Sequence, residues 1–276
     1  MLILIAIFSL ALCCQASEDW CYEDLQCEPA TWSAHYPICG QNSQSPINII
    51  TSETINYSTL GPLQVDGISG SSLAVLTNNG HTVEASLSSE HYLSRVGLEN
   101  PYKLATFHIH FGDENSANLG SEHLINGQGF PLEMHFVFYN TKYGDMTTAK
   151  ENPDGLSVVS VLFELGSKNE ALTPLIDALP DVAYKGQSTS IDFNLHKILP
   201  YQSHGYYTYQ GSLTTPPCSE IVTWHIIAQV QQLNYVQYAA ITSSLYSTTV
   251  DEILAEKLED NFRPVQPYNG RTVYRY

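Results

Sequence analysis

Positive charge is scarce in this chain: 11 Lys and Arg stand against 28 Asp and Glu, for a formal net charge of −17. Phosphate binding needs clustered basic side chains, so the composition excludes nucleic acid as a partner. Charge of either sign is sparse at 14% of residues, while hydrophobic residues reach 43%, a balance that excludes an intrinsically disordered chain. Beyond the N-terminus no apolar run approaches the ~20 residues that span a bilayer. The end, Arg271-Thr272-Val273-Tyr274-Arg275-Tyr276, is not a hydrophobic anchor signal either, so no membrane anchor is expected. No repeat, low-complexity tract or Pro/Ser-rich linker divides the sequence. Its 276 residues are therefore read as one domain, a size that β-rich single domains routinely reach.

The first segment, Met1 to Ala16, carries no charged side chain and is followed by Ser17-Glu18-Asp19. It reads as a signal peptide cut near Ala16, with 17–276 as the mature domain of a secreted, extracellular protein. Removing the leader takes away Cys13 and Cys14 and leaves Cys21, Cys27, Cys39 and Cys218. An even set suits an oxidising compartment, but three pairings are possible and the spacing does not choose among them. Asn56-Tyr57-Ser58 is the single N-glycosylation sequon, usable only on the secretory route.

Apolar runs at Leu73–Thr77, Tyr102–Phe111, Leu132–Tyr139, Val158–Leu165 and Ile221–Val230 predict strands separated by turn residues. Asn78-Asn79-Gly80 tolerates positive φ and should reverse the chain before His81. Helical patterns are short: Leu172–Leu179, Val236–Tyr246 and Glu252–Glu259. Many strands, few helices and no βαβ alternation predict a mainly β, largely antiparallel sheet with peripheral helices.

Chemistry concentrates in Thr106-Phe107-His108-Ile109-His110-Phe111. Side chains two apart on a strand share a face, so His108 and His110 point together while Phe107, Ile109 and Phe111 face a core. In Leu132-Glu133-Met134-His135-Phe136-Val137 the same alternation puts Glu133, His135 and Val137 on one face. If the two strands pair, His135 joins the other imidazoles. Three imidazoles suit Zn²⁺, which favours tetrahedral nitrogen ligation, and leave a fourth position open for water, as catalysis requires.

These segments closely resemble the alpha carbonic anhydrases. The resemblance rests on Gln44-Ser45-Pro46-Ile47, Asn78-Asn79-Gly80-His81, Phe107-His108-Ile109-His110, Gly120-Ser121-Glu122-His123, Glu133-Met134-His135, Asn140-Thr141-Lys142-Tyr143-Gly144-Asp145, Pro153-Asp154-Gly155-Leu156, Ser212-Leu213-Thr214-Thr215-Pro216-Pro217 and Asn261-Phe262-Arg263-Pro264. It spans Trp20 to about Gln266. It implies a single domain on a large, twisted, mainly antiparallel sheet of about ten strands, with zinc at the bottom of a conical cleft. The activity implied is reversible hydration of carbon dioxide to bicarbonate and a proton by zinc-bound hydroxide, with carbon dioxide, bicarbonate and water as partners. A monomer is expected.

By the same resemblance, His108, His110 and His135 are the metal ligands and Glu133 accepts a hydrogen bond that fixes a ligand's tautomer. Thr214 and Glu122 orient the attacking oxygen, Thr215 contacts bicarbonate, and Val137, Val158, Leu213 and Trp224 form the apolar wall for carbon dioxide. His81 matches the proton-shuttle position, and following a turn it should be exposed. Cys39–Cys218 matches the disulfide of extracellular members, and Cys21–Cys27 a second one near the N-terminus. Six departures bear on tuning: Thr106 stands where a Gln is usual, Phe111, Phe138, Tyr139 and Phe262 occupy positions often held by Trp or His, and Glu84 brings a carboxylate to the cleft. The alternatives are a non-catalytic binding or matrix module of the same fold, marked by loss of a ligand His, and another zinc hydrolase such as an esterase.

Overall fold

The structure, a computed structural model, describes residues 20–116 and 118–276; the leader assigned to 1–16 and the first residues of the domain lie outside them. Ten strands form the main path of a 14-stranded twisted sheet. In chain order they are β1 (Ile55–Asn56), β2 (Ser72–Asn78), β3 (Val83–Leu87), β4 (Tyr102–Phe111), β5 (Leu132–Asn140), β6 (Leu156–Leu165), β7 (Ser188–Phe193), β8 (Tyr206–Gly211), β9 (Val222–Ile227) and β10 (Tyr274–Arg275). The spatial order is β7-β2-β3-β4-β5-β6-β9-β8-β10-β1. Most neighbours are antiparallel, whereas β6–β9 and β10–β1 run parallel. The longer helices, Thr173–Ala178 and Tyr235–Ser244, lie at the periphery. No helix among the described residues is long and apolar enough to cross a membrane.

Register in the middle of the sheet builds the site. β4 meets β5 with His108 opposite His135 and His110 opposite Glu133. β5 meets β6 with His135 opposite Ser160 and Val137 opposite Val158, and β6 meets β9 with Val158 opposite Trp224. Because alternate side chains face opposite ways, these residues share one face. The other face carries Phe107, Ile109, Met134, Phe136, Val159 and Val161, all buried in the main core. Burial of each such side chain stabilises the sheet by roughly 1.5–3 kcal/mol, so the histidine-bearing face is mounted on a rigid apolar backing.

Two expectations need correction. Glu252–Glu259 is not helical. A helix would stack Glu252 on Glu256 four residues apart, a repulsive pair; instead Tyr246 bridges to Lys257 and Glu256 N donates to Thr248 Oγ1 at 3.1 Å. The predicted strand Ile221–Val230 ends at Ile227; the chain leaves the sheet at the exposed Ala228 and Gln229, then pairs again through Gln231–Leu233 with Phe163–Leu165 of β6.

A cluster of Trp32, Cys39 and Cys218, with Trp20, Tyr22 and Tyr36 against it, fastens the N-terminal segment to the segment after Pro217. Cys39 is joined to Cys218, 179 residues away, and Cys21 to Cys27. Replacing Cys39 and Cys218 together by Ser is expected to lower the unfolding free energy by about 5 kcal/mol in the chain-entropy model. Urea titration tests this, and a non-reducing peptide map with any other pairing would contradict the connectivity.

On the strand His91–Ser94, His91 lies opposite Gly67, where an added Cβ would come within 2.0 Å of its Nδ1. Only glycine lets the ring fit. Burial, with His196 beside it, lowers the His91 pKa to about 4. The folded value lies below the unfolded one, so this group contributes stability present above about pH 6.5 and lost as pH falls toward 4. His91→Gln should therefore flatten the loss of thermal stability across that window. An acid limb identical to wild type would refute the assignment.

Candidate metal and active site

The ligand nitrogens of His108, His110 and His135 all lie within 4.8 Å of one another. Their ring centroids are 5.0 Å (His108–His110), 5.3 Å (His108–His135) and 4.6 Å (His110–His135) apart. Hydrogen bonds fix two tautomers. His110 Nδ1–H donates to the carbonyl of Asn261 at 2.7 Å, leaving a lone pair on Nε2, which is buried without a hydrogen-bond partner. His135 Nε2–H donates to Glu133 Oε1 at 2.7 Å, leaving its lone pair on Nδ1. Glu122 Oε2, also buried and unpartnered, lies 3.5 Å from His110 Nε2 and 3.9 Å from His135 Nδ1. Lone pairs facing one another in a dry site repel unless a cation stands among them. The donor set fits a metal ion. Burial lowers the pKa of all three imidazoles, that of His110 to about 4 and that of His108 well below the usual range, so each is neutral near pH 7, as a ligand must be.

Glu133 organises the next layer. Its Oε1 accepts from His135 Nε2, His123 Nδ1 at 2.7 Å and Ser160 Oγ at 2.6 Å, and its Oε2 accepts from His123 N at 2.7 Å. Burial alone would raise its pKa, but His123 and His135 together hold it well below the carboxylate range. His123, Glu133 and His135 also sit close enough to suggest a second metal position. Their facing atoms are already joined by hydrogen bonds, so the cluster is a support for His135. The chain of bonds continues from His123 Nε2 to Tyr209 Oη (2.8 Å), from there to Ser45 Oγ (2.8 Å), and to Ser212 N (3.0 Å).

Ser212 begins the segment that carries Thr214. Trp224 Nε1 donates to Ser212 O at 3.0 Å, and Ser45 N donates to Ser212 Oγ at 2.9 Å. Thr214 is buried beside Glu122 and favours that carboxylate's ionised form. Burial nonetheless dominates and raises the Glu122 pKa to about 7, His135 opposing the shift. Arg263 N donates to Glu122 Oε1 at 2.9 Å. The buried Arg263 guanidinium reaches Gln44 Oε1, Ser45 O and Cys39 O at 2.8–2.9 Å, tying the first and last motifs together behind the site.

Val137, Val158 and Trp224 stand side by side across three strands and are at most 8% exposed. Leu213 packs against them and Thr215 is half-buried on the same segment. This wall is dry and uncharged. Beside Val137 in the register, Thr106 does not replace a Gln as partner of His108; its hydroxyl serves Glu84, lowering a pKa that burial raises. Asn56 is exposed on the edge strand β1, open to a glycan.

His81 departs from expectation. It follows the reversal at Gly80 (φ +91°) but is half-buried, its ring stacked on Trp20 with centroids 3.8 Å apart and planes 14° from parallel. Burial lowers its pKa to about 4. The reason is non-local: the loop closed by Cys21–Cys27 brings Trp20 over the turn. Asn261 ties the same turn to the ligand strand, its Nδ2 donating to His81 O and Ile109 O at 2.9 and 3.0 Å. The Asn261 carbonyl, Ser160, Tyr209 and Trp20 were not recognisable as site residues in advance. Only Asn261 lies in a quoted motif, and there its role is played by the main chain.

Residues 27–276 match the family model of the eukaryotic-type carbonic anhydrases. The chain is 39% identical to carbonic anhydrase 12 of Homo sapiens over 88% of this chain and 69% of that protein. It is also 39% identical to carbonic anhydrase 7 of Homo sapiens, over 89% of this chain and 92% of that protein. Identity to carbonic anhydrase 6 of Mus musculus is 36%, over 98% of this chain and 84% of that protein. A family match from Cys27 to the last residue, agreeing with relatives that align across nearly the whole chain, makes this protein a carbonic anhydrase of the eukaryotic-type (alpha) family.

Proposed function

We propose that this chain is a zinc-dependent enzyme of the external medium that reversibly hydrates carbon dioxide to bicarbonate and a proton. The observation that carries this reading is the convergence of His110 Nε2 and His135 Nδ1 with His108, next to the dry row of Val137, Val158 and Trp224. His108, His110 and His135 would hold Zn²⁺, which accepts three neutral imidazoles and keeps a fourth position for water. Bound there, zinc supplies the Lewis acidity that brings the pKa of water to about 7, a value known for carbonic anhydrases as a class rather than obtained from this geometry.

The chain's own residues do the rest. Glu133 and the Asn261 carbonyl fix the ligand tautomers and ring orientations. The Thr214 hydroxyl donates a hydrogen bond to the Glu122 carboxylate and so presents an acceptor lone pair that aims the attacking oxygen at carbon. Val137, Val158, Leu213 and Trp224 exclude water and hold an uncharged substrate; Thr215 contacts bicarbonate as it forms. The proton leaves by water past His81. Two disulfides, the exposed Asn56 and the apolar leader support secretion.

Purified protein is expected to carry equimolar zinc and to hydrate carbon dioxide in a stopped-flow indicator assay, with a sulfonamide blocking the reaction. Metal-free protein, or metal-loaded protein without hydration, would leave the non-catalytic module standing instead. Glu133→Gln should weaken zinc binding by about 10–100-fold, the range typical of such supporting hydrogen bonds. Competition with a chromophoric chelator measures it, and wild-type affinity would remove Glu133 from this role.

A further inference from the structure

The row of side chains that carries the metal ligands does not end at His108. β3 pairs antiparallel with β4 and places Glu84 directly opposite His108, just as His135 stands opposite it on β5 and Ser160 opposite His135 on β6. Residues opposite one another in an antiparallel pair share a face, with Cβ atoms about 4.5–5.5 Å apart. The half-buried Glu84 therefore extends the row with a carboxylate one strand away from a metal ligand. Thr106, two residues before His108 and on the same face, holds that carboxylate through its hydroxyl. Lys150, exposed after the helix Met146–Ala149, joins it in favouring the ionised form against the effect of burial. The next row, Thr106–Val137–Val158–Trp224, is uncharged. A negative charge is thus fixed on one side of the three imidazoles and a dry apolar wall on the other.

We propose that Glu84 is a specificity-determining residue of this site: its carboxylate favours the metal cation, disfavours anions at the metal's open position and leaves uncharged carbon dioxide unopposed. The inference deepens the carbonic anhydrase reading above and rests on it. In a partly buried cleft, charges attract and repel over several ångströms more strongly than in bulk water. Specificity is a difference between affinities, and a fixed charge that acts on one class of ligand and not on another creates such a difference. Bicarbonate therefore leaves more readily. Small inorganic anions bind less tightly than they would to the same three imidazoles without Glu84.

The test loads the full chain with Co²⁺, whose visible spectrum reports a ligand entering the open position, and titrates it with thiocyanate. Glu84→Gln is expected to tighten thiocyanate binding about fivefold and, in competition with a chromophoric chelator, to weaken zinc binding by a similar factor. Opposite signs mark a charge effect, because a merely structural role would weaken both. Glu84→Asp keeps the charge and should stay near wild type in both measurements. With zinc bound, the KM for bicarbonate in the reverse reaction should fall in Glu84→Gln. Thiocyanate binding that is unchanged or weaker in Glu84→Gln overturns the proposal, and so does a Glu84→Asp variant that behaves like Glu84→Gln. A wild-type chain that holds metal and thiocyanate but does not hydrate carbon dioxide would instead overturn the underlying reading.

Discussion

A single buried carboxylate holds this site together. Glu133 is 0% exposed, and burying it unpaired would cost several kcal/mol. It persists because four donors from β5, β6 and the segment containing His123 converge on its two oxygens. Each donor is thereby fixed in turn. His135 can present only Nδ1 to a metal, and the second nitrogen of His123 meets the Tyr209 hydroxyl, which with the Ser212 amide donates to Ser45 Oγ. A fully satisfied network in a low-dielectric interior is stiff, since breaking any bond strands a buried polar group.

The positions of the ligand strands and of the Thr214 segment are therefore not independent. One connection runs through Glu133 and Tyr209; another runs through Arg263, which binds Glu122 by its amide and Gln44, Ser45 and Cys39 by its guanidinium. Segments more than 200 residues apart meet in this way, Gln44 with Arg263 being separated by 219. The Cys39–Cys218 bond closes the same frame covalently. The geometry of the site rests on these long-range ties more than on any local element, which is how a protein with short helices and many turns holds a site rigidly.

What was legible beforehand divides by range. Alternation along a strand made His108 and His110 neighbours, because period-2 geometry is local. His135 depended on pairing of β4 with β5, a condition that register alone satisfied. Thr106 was visible as a departure, but its service to Glu84 required β3 to lie beside β4. Glu252–Glu259 had a helical spacing, yet bonds to Thr248 and Tyr246 outside that window decided its path. Exposure of His81 was inferred from a turn that does form; the covering Trp20 arrives from about 60 residues earlier in the sequence.

By itself the sequence determined the family, the mainly β architecture, the apolar and polar faces of the central strands, and the residue types available to bind a metal. These follow from composition, periodicity and motif wording, all readable within a few residues. Only the tertiary structure decided which imidazole nitrogens carry lone pairs, which main-chain carbonyl supports His110, and that Glu84 lies directly opposite His108. Those outcomes depend on hydrogen-bond partners and burial contributed by distant segments, and local pattern carries no information about which distant groups will arrive within 3 Å.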